Sequence, residues 1–228
     1  MAPPKALILA AGRGERMRPL TDTTPKPLLN VRGQPLIAWH LHALAGAGVR
    51  DVVVNTAWLE EQFPALLGDG ARFGLRIHYS DEGRDHGGAL ETAGGIAKAL
   101  PLLGECFWVV SGDVFLPGFP FDATAAAAFA ASPLNAQLWL VPNAPHHPQG
   151  DFGITPAGLA SHAVSPKRTW ASVGLFRAGM FAGIGPGTRL ALRPLLEREL
   201  AAGRLGACPW DGAWTDVGTL ERLTALNA

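Results

Sequence analysis

The chain has 228 residues, 48% of them hydrophobic, and its 19 basic and 19 acidic side chains cancel to a formal net charge of zero. This length allows one large domain or two small ones with an ample core. The balanced charge excludes a bulk field that would recruit nucleic acid, and no apolar run reaches the ~20 residues needed to span a membrane. Cys106 and Cys208 provide neither a disulfide framework nor the four ligands of a metal site. Together with the balanced charge and the lack of a long apolar run, this leads us to expect a cytoplasmic protein that binds neither nucleic acid nor membranes.

Strand-like and helix-like segments alternate along the first half of the chain. Residues 6–10 form an apolar run that predicts a buried first strand. The segments that follow are a helix over 35–47, a strand over 51–55, a helix over 59–67, a strand over 76–79, a helix over 88–100 and a strand over 107–111. This alternation predicts a Rossmann-like α/β fold, with a mostly parallel sheet flanked by helices on both faces. Ligands are expected beyond the carboxyl ends of its strands.

The pattern changes after Asp122, where an alanine-rich helix over 123–131 is predicted. Strands are then expected over 136–141, 152–154 and 170–176, and helices over 190–202 and 219–226. The loop over 142–150 is rich in turn-forming residues. We find no internal repeat and no linker, so we expect a single domain over residues 1–228.

A glycine loop directly follows the first predicted strand. Gly12 and Gly14 let the backbone turn sharply and approach a ligand closely. Arg13 and Arg16 add fixed positive charge, and Lys26 lies between two prolines that restrict the backbone around it. The loop fits neither the dinucleotide-binding fingerprint nor the P-loop pattern. A glycine loop followed by converging cations predicts a polyphosphate site.

Two aspartates stand out beyond this loop. Asp113 follows a buried strand and a glycine, at the end of the sheet where ligands are expected. Asp216 lies in an apolar, strand-like stretch, where an unpaired carboxylate would be costly. Two carboxylates together with a phosphate loop predict a site for Mg²⁺, which takes oxygen ligands from protein and substrate. His146 and His147 are adjacent in an extended loop, so we expect them near a substrate or exposed rather than on one metal ion.

The stretch over residues 9–28 resembles the signature of the sugar-phosphate nucleotidylyltransferases, L-A-A-G-x-G-x-R-x-x-P-L-T followed by P-K-P-L. The resemblance implies the GT-A-like nucleotidyltransferase architecture and an attack by a sugar 1-phosphate on the α-phosphorus of a nucleoside triphosphate. It implies catalytic roles for Arg16, Lys26, Asp113 and Asp216. The two aspartates match the family's strand-end acid and its later W-x-D-V/I-G-T acid, which hold Mg²⁺.

The same resemblance implies a nucleotide-binding half over residues 1–116 and a sugar-binding half over residues 117–228. The first half includes a segment like the family's L-x-T-A-G-x-L stretch, which packs against the nucleotide base. The implied nucleotide-binding residues are Leu9, Ala10, Ala11, Gly12, Arg13, Gly14, Leu90, Thr92 and Gly94.

Finer similarity concerns the substrates. Residues 143–152, 66–74 and 214–223 look like the short uridylyltransferases of this family that act on N-acetylmuramic acid 1-phosphate and serve peptidoglycan recycling. This implies UTP as the nucleotide and sugar-binding roles for Asn143, Gly150, Asp151 and Ser172. Ser172 lies in a strand where the family often has a glycine near the sugar ring. Donors for the acceptor's extra carboxylate are expected from the loop with His146, His147 and Gln149, or from Lys167 and Arg168.

Other functions stay open at this point. A hexose or heptose 1-phosphate nucleotidylyltransferase that uses GTP or another base shares the general signature, and so does a choline-phosphate cytidylyltransferase. A nucleotide-sugar sensor without turnover is a third alternative, although all four implied catalytic residues are present. In solution we expect a monomer or a weak homo-oligomer.

Overall fold

The computed structural model describes residues 4–228, and all of the following elements lie within that range. The strands are β1 (Ala6–Leu9), β2 (Asn30–Val31), β3 (Gln34–Pro35), β4 (Asp51–Thr56), β5 (Arg76–Asp81), β6 (Cys106–Ser111), β7 (Val114–Phe115), β8 (Ala136–Val141), β9 (Gly153–Ile154), β10 (Ala160–Ser161), β11 (Thr169–Arg177), β12 (Leu205–Pro209) and β13 (Thr215–Asp216). The helices are α1 (Leu20–Thr23), α2 (Leu36–Gly46), α3 (Gln62–Leu67), α4 (Glu82–His86), α5 (Glu91–Ala99), α6 (Ala123–Ala131), α7 (Arg193–Ala201) and α8 (Leu220–Asn227).

Seven strands form the central sheet, in the order β12-β8-β11-β6-β1-β4-β5. Strand β11 runs antiparallel to both β6 and β8, and the remaining pairs are parallel. The prediction of a mostly parallel sheet with flanking helices is therefore confirmed. Strands from both predicted halves of the chain share this sheet, and the division at residue 116 stays a prediction.

The sheet is covered on both faces, as side-chain alternation along its strands requires. Ile8, Val54 and Val110 belong to the core on one face. Leu7, Val53 and Val109, their neighbours in sequence, belong to the core on the other face. Because both faces of the sheet are covered by apolar cores, polar site residues are found at the carboxyl ends of the central strands.

Two helices begin at residues whose side chains cap the first turn. The Asp122 carboxylate accepts hydrogen bonds from the backbone N–H groups of Thr124 and Ala125, at 2.9 and 3.2 Å, and starts α6. The Thr219 hydroxyl accepts from the Arg222 N–H and starts α8. Because Thr219 supplies this cap, Asp216 is free for another role.

Three helices begin later than the sequence pattern indicates. Leu59 has a φ of +48°, so α3 begins at Gln62 instead of residue 59. Gly87, Gly88 and Glu91 all have positive φ values, +62° at Glu91, which are incompatible with a regular helix over 88–90. Helix α5 therefore begins at residue 91 instead of 88. Helix α7 begins at Arg193, because Pro194 suits the first turn of a helix and not its interior. None of the helices described between residues 4 and 228 combines the length and the hydrophobicity that a membrane span needs.

Candidate functional site

A cleft of about 390 Å³ opens at the carboxyl ends of β1, β4 and β6. This is the end of a parallel sheet at which ligands bind in open α/β folds. The predicted site residues that line the cleft are Leu9, Ala10, Ala11, Gly12, Arg13, Gly14, Lys26, Thr92 and Asp113. The fold therefore brings together most of the predicted phosphate-loop residues with one of the two aspartates.

The glycine loop is shaped for close approach. Gly14 has a φ of +69°, and a Cβ there would lie 3.0 Å from the methyl group of Thr21. The Thr21 hydroxyl donates a hydrogen bond to the Gly14 carbonyl at 2.9 Å, which fixes the loop. A Cβ on Gly12 would meet nothing within 4 Å, so Gly12 borders open space. The Arg13 guanidinium lies over the Trp58 ring, 4.4 Å from its centroid.

Lys26 reaches the end of the sheet from a buried 3₁₀ turn, Lys26–Leu28. Its side chain is only 10% exposed, and its Nζ lies 3.0 Å from Asp113 Oδ2. A Cβ on Gly112 would lie 3.0 Å from the Leu9 carbonyl oxygen and 3.2 Å from the Pro27 side chain. The glycine before Asp113 therefore allows this close approach of the lysine segment.

A two-stranded ladder joins the segments of the two aspartates. Asp216 of β13 is paired in register with Val114 of β7, the residue after Asp113. The Val217 N–H donates to the Asp113 carbonyl at 2.8 Å. Both carboxylates remain partly accessible, with exposed side-chain fractions of 43% for Asp113 and 28% for Asp216.

Asp216 contacts two basic side chains that sequence reasoning did not connect with it. Its Oδ1 accepts a hydrogen bond from Arg222 Nη1 at 2.8 Å. His146 Nε2 lies 2.9 Å from the same oxygen and 2.6 Å from Arg222 Nη1. The loop over 142–150 therefore reaches the second aspartate through His146.

The cleft also contains a buried polar network that the sequence did not reveal. Asn55 Oδ1 accepts from the Ala10 N–H at 2.7 Å, and Asn55 Nδ2 donates to Glu82 Oε1 at 2.6 Å. Glu82 Oε2 accepts from the Leu90 N–H at 2.7 Å. Burial raises the pKa of the Glu82 carboxyl, and the hydrogen bonds from Leu90 and Asn55 partly offset this by lowering it. The network connects the phosphate loop to the segment predicted to bind the base.

Leu90 and Gly94, predicted to bind the nucleotide, are buried and do not line the cleft. A Cβ on Gly94 would collide with the Thr188 carbonyl oxygen, so this glycine lets the 188–190 segment pack on α5. The Leu190 carbonyl accepts from the N–H groups of Ala93 and Gly94. Other lining residues that sequence reasoning missed are Pro27, Asn55, Glu82, Ala89, Glu91, Ser111 and Arg189.

The predicted sugar-binding residues lie outside the cleft and organise the loop over 142–150. Asn143 Nδ2 donates to the carbonyls of Pro148 and Lys167, both at 3.0 Å. Asp151 Oδ2 accepts from the Trp170 N–H at 2.8 Å, which ties the loop's end to β11. Gly150 has a φ of +62°. Their contact with a sugar stays a prediction.

Ser172 and Arg16 are also not among the residues that line the cleft. Ser172 has a φ of +58° and lies where the register of β11 against β8 shifts, between Trp170 and Gly174. Arg16 is exposed in the 3₁₀ turn Glu15–Met17. Their expected roles in sugar and triphosphate binding stay predictions.

A divalent metal ion fits the donor set that this arrangement offers. Residues 4–228 contain no group of three or more His, Cys, Asp or Glu side chains suited to holding a metal. Mg²⁺ does not require one, because it commonly takes one or two carboxylates and completes its shell with substrate phosphates and water. Asp113 lines the cleft beside the phosphate loop, and the β7–β13 ladder brings the segment of Asp216 alongside it, so the two carboxylates offer such a pair.

Comparison with known proteins places this chain among nucleotidyltransferases. The family model described as nucleotidyl transferase matches residues 5–228. An N-acetylmuramate alpha-1-phosphate uridylyltransferase of Neisseria meningitidis is 50% identical over 98% of this chain and 97% of its own length. One of the same name from Caulobacter vibrioides is 34% identical over 100% of this chain and 97% of its own length.

A solved structure from Bacillus anthracis, assigned as a glucose-1-phosphate thymidylyltransferase, has the same fold. Its TM-score is 0.81 at 24% identity, covering 98% of this chain and 93% of that one. The chain thus belongs to the nucleotidyl transferase family, and its Neisseria relative is by name a transferase enzyme. The resemblance seen in residues 9–28 is confirmed at this level.

Proposed function

We propose that this protein transfers a uridylyl group from UTP to N-acetylmuramic acid 1-phosphate, giving UDP-N-acetylmuramic acid and pyrophosphate. One observation carries the proposal. In a chain half identical to the Neisseria relative, Lys26 and Asp113 meet at the glycine loop of a single cleft. The expected cytoplasmic location belongs to this proposal, because the reaction needs the cell's nucleoside triphosphates.

The reaction brings two anions together, so neutralising and aligning charge is the main task of the site. The sugar phosphate oxygen attacks the α-phosphorus of UTP, and the bond from that phosphorus to the bridging oxygen of pyrophosphate breaks. The sugar phosphate is already an anion at neutral pH, so no protein nucleophile is needed.

Lys26 is suited to align the two reacting phosphates. Its ammonium group is held at one place by the buried stem and by the contact with Asp113. A lysine that is fixed in this way costs little reorganisation when charge develops in the transition state. The loop of Gly12 and Gly14 receives the triphosphate, and Arg13 and Arg16 add charge for the departing pyrophosphate.

Asp113 and Asp216 would hold Mg²⁺ in this proposal. The ion would supply Lewis-acid stabilisation to the phosphate oxygens that gain charge. The ladder between β7 and β13 keeps the two aspartate segments at a fixed spacing. This is the kind of rigid support that a charge-stabilising site requires.

The base and the sugar occupy opposite sides of this centre. The base end of the cleft is formed by Ala89, Glu91 and Thr92. The Asn55–Glu82 network holds this segment in place through the hydrogen bond from the Leu90 N–H to Glu82. The acceptor sugar lies toward the loop over 142–150, which Asn143 and Asp151 hold in place. Uracil is small and can be recognised by backbone groups near residue 90.

A substrate panel tests this proposal. Purified protein with Mg²⁺ is offered UTP, GTP, CTP and dTTP against N-acetylmuramic acid 1-phosphate, N-acetylglucosamine 1-phosphate, glucose 1-phosphate, mannose 1-phosphate and a heptose 1-phosphate, and pyrophosphate release is measured. We expect the highest kcat/KM for UTP with N-acetylmuramic acid 1-phosphate. Efficient turnover of mannose or heptose 1-phosphate with GTP, and none with UTP, would instead support the alternative substrate class.

A further inference from the structure

Three side chains from distant segments meet beside the second aspartate. Arg222 Nη1, on α8, lies 2.8 Å from Asp216 Oδ1 and 2.6 Å from His146 Nε2, which comes from the loop over 142–150. His146 Nε2 is also 2.9 Å from Asp216 Oδ1. One guanidinium nitrogen therefore links α8, β13 and the loop on the sugar side.

The guanidinium of Arg222 has donors that its neighbours do not use. Arg222 Nε is buried without a hydrogen-bond partner among residues 4–228. A Cβ on Gly218 would lie 2.5 Å from Arg222 Nη2, so the glycine before the helix cap makes room for the side chain. Arginine carries five N–H donors in a planar fork that matches a carboxylate. Arg222 Nη2 makes no hydrogen bond within residues 4–228, and the side chain is 20% exposed, so this nitrogen is the donor that can reach a further anion.

The position of Arg222 relative to the cleft limits which anion that is. Lys26 and Asp113 line the nucleotide cleft, whereas Arg222, His146 and Asp216 do not. An acceptor whose phosphate lies at Lys26 extends away from the nucleotide, toward the loop that carries His146. A second negative charge on the acceptor, remote from its phosphate, would therefore lie near the loop over 142–150.

Other arginines on the sugar side already have acidic partners. Arg168 Nη1 is 2.7 Å from Asp211, and Arg193 Nε is 2.6 Å from Glu197. Arg222 also has an acidic partner, but that partner is Asp216, one of the two aspartates proposed to hold the metal ion, and His146 lies on the same guanidinium nitrogen. Of these arginines, Arg222 is the one tied directly to the reaction centre.

We propose that Arg222, together with His146, binds the carboxylate of the acceptor sugar and so selects a muramic acid over a plain N-acetylhexosamine. This inference rests on the proposed function. The lactyl ether of muramic acid carries a carboxylate that N-acetylglucosamine lacks, and the two sugars are otherwise the same. Arg222 and His146 are specificity-determining residues for that group.

The test compares two acceptors in each variant. We measure kcat/KM with UTP for N-acetylmuramic acid 1-phosphate and for N-acetylglucosamine 1-phosphate, and we take the ratio. A loss of Asp216 support affects both acceptors and cancels in the ratio. Arg222→Met is expected to lower the ratio at least about tenfold, the equivalent of one charge-assisted hydrogen bond. Arg222→Lys and His146→Gln are expected to lower it less.

Matched controls keep the test decisive. Arg76→Met removes an equally charged, exposed guanidinium from the far edge of the sheet and should keep the wild-type ratio. Circular dichroism identifies any variant that fails to fold, in which case Arg222→Lys carries the comparison. Where N-acetylglucosamine 1-phosphate reacts too slowly, the Kd values of both acceptors by calorimetry replace the rates.

Two results have different meanings. If Arg222→Met lowers both kcat/KM values equally, Arg222 acts through Asp216 or on the phosphate, and the carboxylate site is overturned. If the wild-type protein does not use N-acetylmuramic acid 1-phosphate with UTP, the proposed function itself fails, whatever the variants do.

Discussion

The Val217 N–H donates to the Asp113 carbonyl at 2.8 Å, and this hydrogen bond joins two segments that are far apart in sequence. The adjoining register pairs Asp216 with Val114. Asp113 closes a central strand and Asp216 belongs to the last part of the chain, so the site is complete only when both ends of the fold are in place.

Asp113→Asn and Asp216→Asn should each lower kcat by about a hundredfold to a thousandfold, because each removes a carboxylate proposed to hold Mg²⁺. The thermal midpoint should change little, since both side chains are partly exposed. Activity is measured at saturating Mg²⁺. Asp211→Asn, at a more exposed acid, is the control. Full activity in either site variant would remove that residue from the metal site.

Lys26→Ala and Arg16→Ala should both slow the reaction, but through different parameters. Lys26 is buried beside Asp113, so its loss should lower kcat by about a hundredfold, or roughly 3 kcal/mol of transition-state stabilisation. Arg16 is exposed and is proposed to contact both the bound triphosphate and the departing pyrophosphate, so its loss should raise the KM for UTP as well as lower kcat. Steady-state kinetics with each substrate varied separates the two effects. If kcat/KM is unchanged in both variants, residues 9–28 are not a phosphate site.

Gly12→Ala separates a functional role from a structural one. The added methyl group would meet nothing within 4 Å, so the free energy of unfolding should stay close to that of the wild type. A bound triphosphate would meet that methyl group, and a misplacement of about 1 Å can cost a hundredfold in rate. Gly46→Ala in α2 also meets nothing within 4 Å and should keep full activity. Wild-type kcat/KM in Gly12→Ala would contradict close approach of the phosphates.

The origins of the site residues explain how much the sequence could predict. The apolar runs of β1, β4 and β6 and the glycines after β1 are local patterns, so the sheet and the phosphate loop were predictable. The Asn55–Glu82 network was not, because neither residue has a pattern of its own and the pair forms only when β4 packs beside β5. The Arg222–His146 contact depends on the position of a turn-rich loop, which no periodicity determines.

His40 makes stability depend on pH. It is buried, and burial lowers its pKa from 6.5 to about 4, although the backbone of Val114 and the charge of Asp113 act in the opposite direction. Between these values the unfolded chain binds a proton that the folded protein does not. The stability that neutral His40 contributes therefore falls as pH drops through this range, and the loss from this residue levels off below about 4.

The expected loss between pH 7 and pH 5 is about 2 kcal/mol from this residue. Urea unfolding of the wild type and of His40→Gln at both pH values measures it. The wild type should lose more stability than the variant on acidification. An equal loss in both proteins would mean that His40 is not the group responsible.

The identity of the transferred group tests the account most directly. UTP labelled at its α-phosphate is incubated with N-acetylmuramic acid 1-phosphate and Mg²⁺, and the products are identified by mass spectrometry. We predict that the label appears in UDP-N-acetylmuramic acid and that one pyrophosphate is released for each molecule formed. Release of orthophosphate, or label recovered only as UMP or UDP, would contradict nucleotidyl transfer at this site.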